Sequence, residues 1–304
     1  MDELQSKIRK MKNPTMVSLD PTPDLLPPAM LAEAFAQKGE TPEALCDAYF
    51  RFSMEILDAL QETVPSIKIQ SACFETLGAA GTAAMQALCR EAKARGYYVL
   101  LDAMRGDAPH IAELYARAMF GGVQIGETMY RAYECDALSL NAYLGSDSIK
   151  PFLPYCKEDK DIFLLVKTSN RSGREVQDLI SGDRQVHTAM ADLAMRWSEG
   201  LYGACGYSSI GAVMGATDSR SLAAMRKKYD RLFFLVAGYG AQGGTAKPAS
   251  NAFDQFGHGA VITASRSILG AWKQAESDGS DYAEHALAAA TKMKKDIAKY
   301  IKVI

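Results

Sequence analysis

The chain has 304 residues, 48% of them hydrophobic and 23% charged, with a formal net charge of −2 and a pI near 6.1. That length and apolar content suffice for one large domain or two ordinary ones. The even charge balance argues against a nucleic-acid or anionic-membrane partner, and no apolar run approaches the roughly 18 to 20 residues that span a bilayer.

The stretch Met1–Pro14 is charged and lacks the apolar centre of a signal peptide, so a cytoplasmic location is expected. The six cysteines (Cys46, Cys73, Cys89, Cys135, Cys156 and Cys205) form no CxxC pair and show no metal-ligand spacing. Most sit in apolar runs and read as reduced thiols.

Eight short apolar runs follow one another, and each reads as a strand buried on both faces. They are 15–19, 66–70, 97–101, 137–141, 162–168, 210–215, 232–236 and 260–263. Helical spacing fills the gaps over 42–63, 82–95, 108–119, 183–202, 219–229 and 280–302. Alternation of this kind predicts a (β/α)8 barrel occupying residues 1–304 as a single domain. The extra length falls in 22–39, in a helical insert near 121–134, and in the C-terminal tail. A doubly wound open sheet is the alternative, but no GxGxxG follows the first strand.

The third run leads into Asp102-Ala103-Met104-Arg105-Gly106-Asp107. Carboxylates at the C-terminal end of a barrel strand are commonly placed there for chemistry. A strand-end cap followed by a helix N-cap would use the same residues. Other polar residues at strand ends are Asp20, Lys68 with Gln70, Asn141, Lys167 with Ser169 and Asn170, Gln242, and Arg266. Lys68 lies inside an apolar run, where an unpaired ammonium is costly, so it should meet a carboxylate, with Asp102 the obvious partner. Such a pair could be catalytic or purely structural. The glycine-rich stretch Gly238–Gly244, with Arg266 after the eighth strand, suits a phosphate, although a flexible loop with a surface arginine would look similar. Of the histidines, His110 reads as a helix-start residue, and His187 and His285 as surface or interface groups. None of the four, His258 included, pairs at metal-ligand spacing.

Several stretches together resemble orotidine 5'-phosphate decarboxylase, especially its longer bacterial form. These are Leu19-Asp20-Pro21, Lys68-Ile69-Gln70-Ser71-Ala72, Asp102 to Asp107, Asn141 to Gly145, Leu165 to Asn170, Gly206 to Ser209 and Gly238 to Gly244. The resemblance covers nearly the whole length. It implies a homodimer of (β/α)8 barrels that converts orotidine 5'-phosphate to UMP without metal or organic cofactor. By resemblance, Asp20 and Lys68 contact the ribose hydroxyls, and Asp102 lies against the substrate carboxylate. Asp107 reaches into the partner's site, Asn141 belongs to the substrate-binding set, Ser169 touches the pyrimidine, and Gln242 with Arg266 holds the phosphate.

One position departs from the pattern. The family motif is Asp-X-Lys-X-X-Asp, and its lysine protonates the carbon that loses carbon dioxide. This chain carries Met104 there. A thioether neither stabilises a carbanion by charge nor donates a proton. Lys68, Asp102 and Asp107, one cation and two anions, sum to −1, whereas the family tetrad sums to zero. Milder departures are Ala142 and Ala237 in place of usual prolines, and Ile111 in place of a common threonine. The resemblance thus implies either an impaired decarboxylase, a nucleotide-binding pseudoenzyme, or a barrel enzyme with other chemistry on a phosphorylated ligand.

Overall fold

A computed structural model describes residues 1–304. Eight parallel strands close into a barrel. They are β1 (Thr15–Leu19), β2 (Ser66–Gln70), β3 (Tyr98–Arg105), β4 (Ala137–Leu140), β5 (Asp161–Lys167), β6 (Ile210–Gly215), β7 (Phe233–Ala237) and β8 (Ala260–Ala264). Each pairs with its neighbours in sequence, and β8 closes on β1 with Thr15 opposite Ile262. The runs are apolar on both faces because the barrel interior takes one face and the surrounding helices the other. Phe163 and Phe233 meet edge to face inside the barrel, with centroids 6.3 Å apart.

The surrounding helices are α1 (Asp2–Met11), α2 (Pro28–Lys38), α3 (Pro42–Leu60), α4 (Gly78–Ala94), α5 (Pro109–Ala116), α6 (Val186–Trp197), α7 (Ser219–Lys228) and α8 (Tyr282–Ala298). Local chemistry sets their ends. In α3 the Thr41 hydroxyl accepts from Ala44 N at 3.2 Å, and Pro42 occupies the first turn. The helix then buries Tyr49, Phe52, Ile56 and Leu60 on one face.

Three features depart from the sequence reading. The expected helical insert near 121–134 is a β-hairpin, Val123–Ile125 against Thr128–Tyr130. Gly126, at φ 59°, supplies the left-handed residue of its two-residue turn, and alternating β-branched side chains favour strand over helix. Helix α1 packs over the barrel's N-terminal end through Leu4 and Ile8, although its charged sequence gave little sign of it. Strand β3 runs past Asp102 to Arg105, with a register shift against β4 between Leu101 and Arg105.

At the N-terminal face of the barrel, Arg226 of α7 is buried. It donates to Ala252 O and Gly259 O at 2.7 Å each, and its guanidinium stacks 3.9 Å from the centroid of Phe234. Burial pulls its pKa down to about 10, so it stays charged at neutral pH, held by carbonyls rather than by a carboxylate.

Candidate active site

The C-terminal ends of the strands enclose a cavity of about 260 Å³. Strands β8, β1, β2 and β3 bring polar groups to it: Thr263, Ser18, Lys68 and Asp102. Val213 of β6 and Leu235 of β7 form the opposite, apolar wall. Of the residues singled out in sequence, Asp20, Lys68, Asp102, Met104, Ser169, Gln242 and Arg266 line this one cavity. They come from six separate strand ends and loops, which only closure of the barrel brings together.

Lys68 and Asp102 form the expected buried pair. Lys68 Nζ lies 2.5 Å from Asp102 Oδ2 and 3.6 Å from Asp20 Oδ1. Burial disfavours the Lys68 ammonium, but the two carboxylates outweigh it and raise the pKa above the ordinary 10.5. Lys68 is therefore charged throughout the neutral range. Asp102 has two further donors. Ser139 Oγ donates to Oδ1 at 2.6 Å. The Gln70 amide, turned with its nitrogen toward Asp102, donates to Oδ2 at 3.0 Å. This carboxylate is held rigidly by side chains from β2 and β4.

Met104 sits on the bulge that the β3 register shift creates. Its backbone is left-handed, at φ 46°, and its side chain is 45% exposed at the cavity wall. Its N–H donates to Ser139 Oγ at 2.9 Å. One hydroxyl thus accepts from residue 104 and donates to Asp102, fixing both relative to β4. The neighbouring Arg105 turns out of the cavity, where it pairs with Glu75 and lies 5.7 Å from the Tyr115 ring centroid. It cannot stand in for a cation beside Asp102.

Asp107 and Asn141, also named from sequence, lie outside the cavity lining. Asp107 is half-buried and accepts from Ala108 N at 2.7 Å. Asn141 is exposed, and its side chain accepts from Tyr143 N at 3.1 Å. They stand on the same rim: a Cβ on Gly106 would lie 2.5 Å from Asn141 O, so this approach of loop to loop requires glycine.

Lys167 and His187 are placed differently from the sequence reading. Lys167 is buried at the end of β5 and pairs with Asp178 rather than lining the cavity. His187 is buried rather than on the surface. Its Nδ1 lies 2.8 Å from Gln177 O and 3.5 Å from Asp178 Oδ1. The Gln177 amide also clamps Thr168, accepting from its N at 2.9 Å and donating to its Oγ1 at 2.7 Å. These contacts hold the segment that carries Ser169.

The glycine-rich stretch is closed on itself. Gly240 N donates to Gly244 O at 2.9 Å, Gly243 N to Gly240 O at 2.8 Å, and Gly244 N to Gly238 O at 3.1 Å. Three of the amides that sequence would offer to an anion are thereby engaged, and Gln242 faces the cavity from the loop's tip. The sequence reading missed Ser18, Ser139, Thr263 and Ser265. A single hydroxyl in an apolar run, as in Ala137-Leu138-Ser139-Leu140, was the available signal.

Known proteins are similar to this chain over nearly its whole length. Residues 14–277 match the model of the "Orotidine 5'-phosphate decarboxylase / HUMPS family". An orotidine 5'-phosphate decarboxylase of Clostridium novyi is 34% identical over 301 residues, covering 98% of both chains. One from Clostridium perfringens is 35% identical over 302 residues, covering 99% of this chain and 98% of its own. The solved OMP decarboxylase of Leishmania donovani superimposes with a TM-score of 0.73 at 29% identity, covering 98% of this chain and 97% of that one. With an eight-stranded parallel barrel beneath it, a match of that extent means that this chain belongs to the orotidine 5'-phosphate decarboxylase family, carboxy-lyases of pyrimidine biosynthesis.

Proposed function

We propose that the chain binds a pyrimidine nucleoside 5'-phosphate at the barrel mouth, and that its conversion of orotidine 5'-phosphate to UMP and carbon dioxide is impaired at the protonation step. The observation that carries this reading is Met104, which lines the cavity on the same strand as Asp102 while the Lys68–Asp102 pair beside it is intact. Lys68 and Asp20 face the ribose hydroxyls, Asp102 the substrate carboxylate, and Ser169 the pyrimidine. Gln242 and Arg266 hold the phosphate. Loss of carbon dioxide leaves a carbanion that needs a nearby cation and then a proton. Lys68 is engaged by two carboxylates, and Arg105 faces Glu75, so neither group is placed to supply that proton.

The reading includes a cytoplasmic homodimer without metal or organic cofactor. Asp107 and Asn141 share an exposed rim with Met104, Tyr143 and Leu144, and a second copy seated there would bring its Asp107 toward the first copy's cavity. A second reading, a nucleotide-binding protein without turnover, is favoured by the charge count. Around the position of Met104, Lys68 alone faces Asp102 and Asp20, so the site should prefer UMP over a ligand with a carboxylate at C6.

Orotidine 5'-phosphate turnover by the parent chain and by Met104→Lys separates these readings. Gain of turnover in the variant supports the impaired decarboxylase. Silence in both, with UMP still bound, supports the second reading. Tighter binding of a C6-carboxylated analogue than of UMP would count against the charge argument.

A further inference from the structure

The polar side chains on the β1, β2 and β3 side of the cavity have partners within the chain. Ser18 donates to Asp20, and Lys68, Gln70 and Ser139 surround Asp102. Two lining hydroxyls are buried without a partner, and both belong to the end of β8. Thr263 Oγ1 and Ser265 Oγ are buried, line the cavity and have no hydrogen-bond partner. Thr263 is only 5% exposed, so its hydroxyl is not freely bathed by solvent. A buried hydroxyl without a partner is costly, and such groups are rare unless something meets them.

The placement of these residues has a direction. Thr263 and Ser265 both line the cavity. Thr263 lies deepest, Ser265 is half-buried two residues later, and Arg266 is exposed at the rim. Thr263 lies opposite Met16 of β1 in the barrel register, on the strand that continues to Ser18 and Asp20. The cavity's two carboxylates face Lys68, which leaves Arg266 without a competing anion in the lining. The end of β8 therefore presents a row of free donors running from the barrel interior to its rim.

We infer that Thr263 and Ser265 are ligand-binding residues, forming with Arg266 a donor ladder for a phosphorylated sugar. The phosphate takes the arginine at the rim, and the ester and sugar oxygens behind it take the two hydroxyls. This rests on the proposal that the ligand is a nucleoside 5'-phosphate and extends it. The β8 wall reads the sugar-phosphate portion, whatever base is attached.

Calorimetric titration with UMP and with ribose 5-phosphate tests the ladder in the parent chain, Thr263→Val, Thr263→Ser and Ser265→Ala, with melting temperatures as a folding control. Thr263→Val keeps the shape and loses the hydroxyl. It should weaken both ligands by the same factor, about threefold to tenfold, as expected for one neutral hydrogen bond. Thr263→Ser should bind as the parent does, and Ser265→Ala should behave like the valine variant. Parent-like affinity in Thr263→Val, or an equal loss in Thr263→Ser, would overturn the inference, because the hydroxyl would then be idle or the methyl group responsible. A parent chain that binds ribose 5-phosphate but not UMP would sink the nucleotide reading and leave the ladder standing. One that binds neither would sink both.

Discussion

Ser139 does more for the site than its small size suggests. Ser139→Ala removes one bond to a charged group and one to the Met104 amide, and the first alone is worth about 1.5 to 3 kcal/mol. The expected result is a lower melting temperature together with UMP affinity reduced by about tenfold, both recovered in Ser139→Thr, read by thermal melts and calorimetry. Lys68 makes a sharper case. Lys68→Met leaves two carboxylates facing each other without a cation, and removing one partner of a buried pair costs about 3 to 5 kcal/mol. Denaturant unfolding should show that loss at neutral pH and partial recovery in acid, as a carboxylate protonates. In the parent chain the raised Lys68 pKa means that its stabilisation is complete below 10.5 and disappears as pH rises through the higher folded value. Lys68 and Asp102 were legible in the sequence because charges inside apolar runs are conspicuous. Ser139 and Thr263 were not, since serine and threonine are ordinary strand residues and only the folded register shows which face they take.

Among the elements, the strands were the most readable and the connections the least. All eight apolar runs became barrel strands, because burial on both faces leaves one chemical class of residue to choose from. The hairpin at 123–130 was misread because a three-residue strand carries too little period to distinguish it from a helix. The N-terminal face of the barrel offers two tests of stability that should leave ligand binding untouched. Arg226→Lys cannot reproduce a planar guanidinium that bonds four carbonyls and stacks on Phe234, so it should unfold more easily by about 2 to 3 kcal/mol with unchanged UMP affinity. Asp254 accepts from Tyr207 Oη at 2.7 Å, Phe256 N at 2.8 Å and His258 N at 2.9 Å. Burial pushes its pKa up, but these bonds prevail and hold it below the ordinary 3.8. A depressed carboxylate stabilises the fold above its unfolded pKa and loses that contribution as pH falls through the folded value. Melting temperatures of Asp254→Asn should therefore be lower than the parent's at neutral pH, with the gap closing at the acid end.

For the whole molecule, the strongest prediction concerns association. Tyr143 is 78% exposed, with Leu144 and Met104 also exposed at the β3 and β4 ends and Leu114 exposed on α5. Apolar side chains gathered at the mouth of an otherwise charged surface mark a contact site. Sedimentation should give a dimer, and Tyr143→Asp should shift it toward monomer while weakening UMP binding, if Asp107 and Asn141 complete the partner's cavity. A parent chain that sediments as a monomer at high concentration would end that picture. The barrel and most of the cavity's charges could be read from one sequence. The exposed apolar rim could not, because exposure is a property of the closed surface.

The left-handed backbone at Met104 bears on how easily this protein could change its chemistry. A residue there carries roughly 1 to 2 kcal/mol of conformational cost whatever its side chain, provided it is not glycine. Methionine and lysine are both unbranched and of similar length, so exchanging them adds no new strain to the bulge, and Ser139 meets only the backbone amide of residue 104. Position 104 behaves as an interchangeable part. On the proposed reading of residue 104, one or two nucleotide changes in a codon would separate a binding protein from a decarboxylase, with no need for selection to rebuild the scaffold around it.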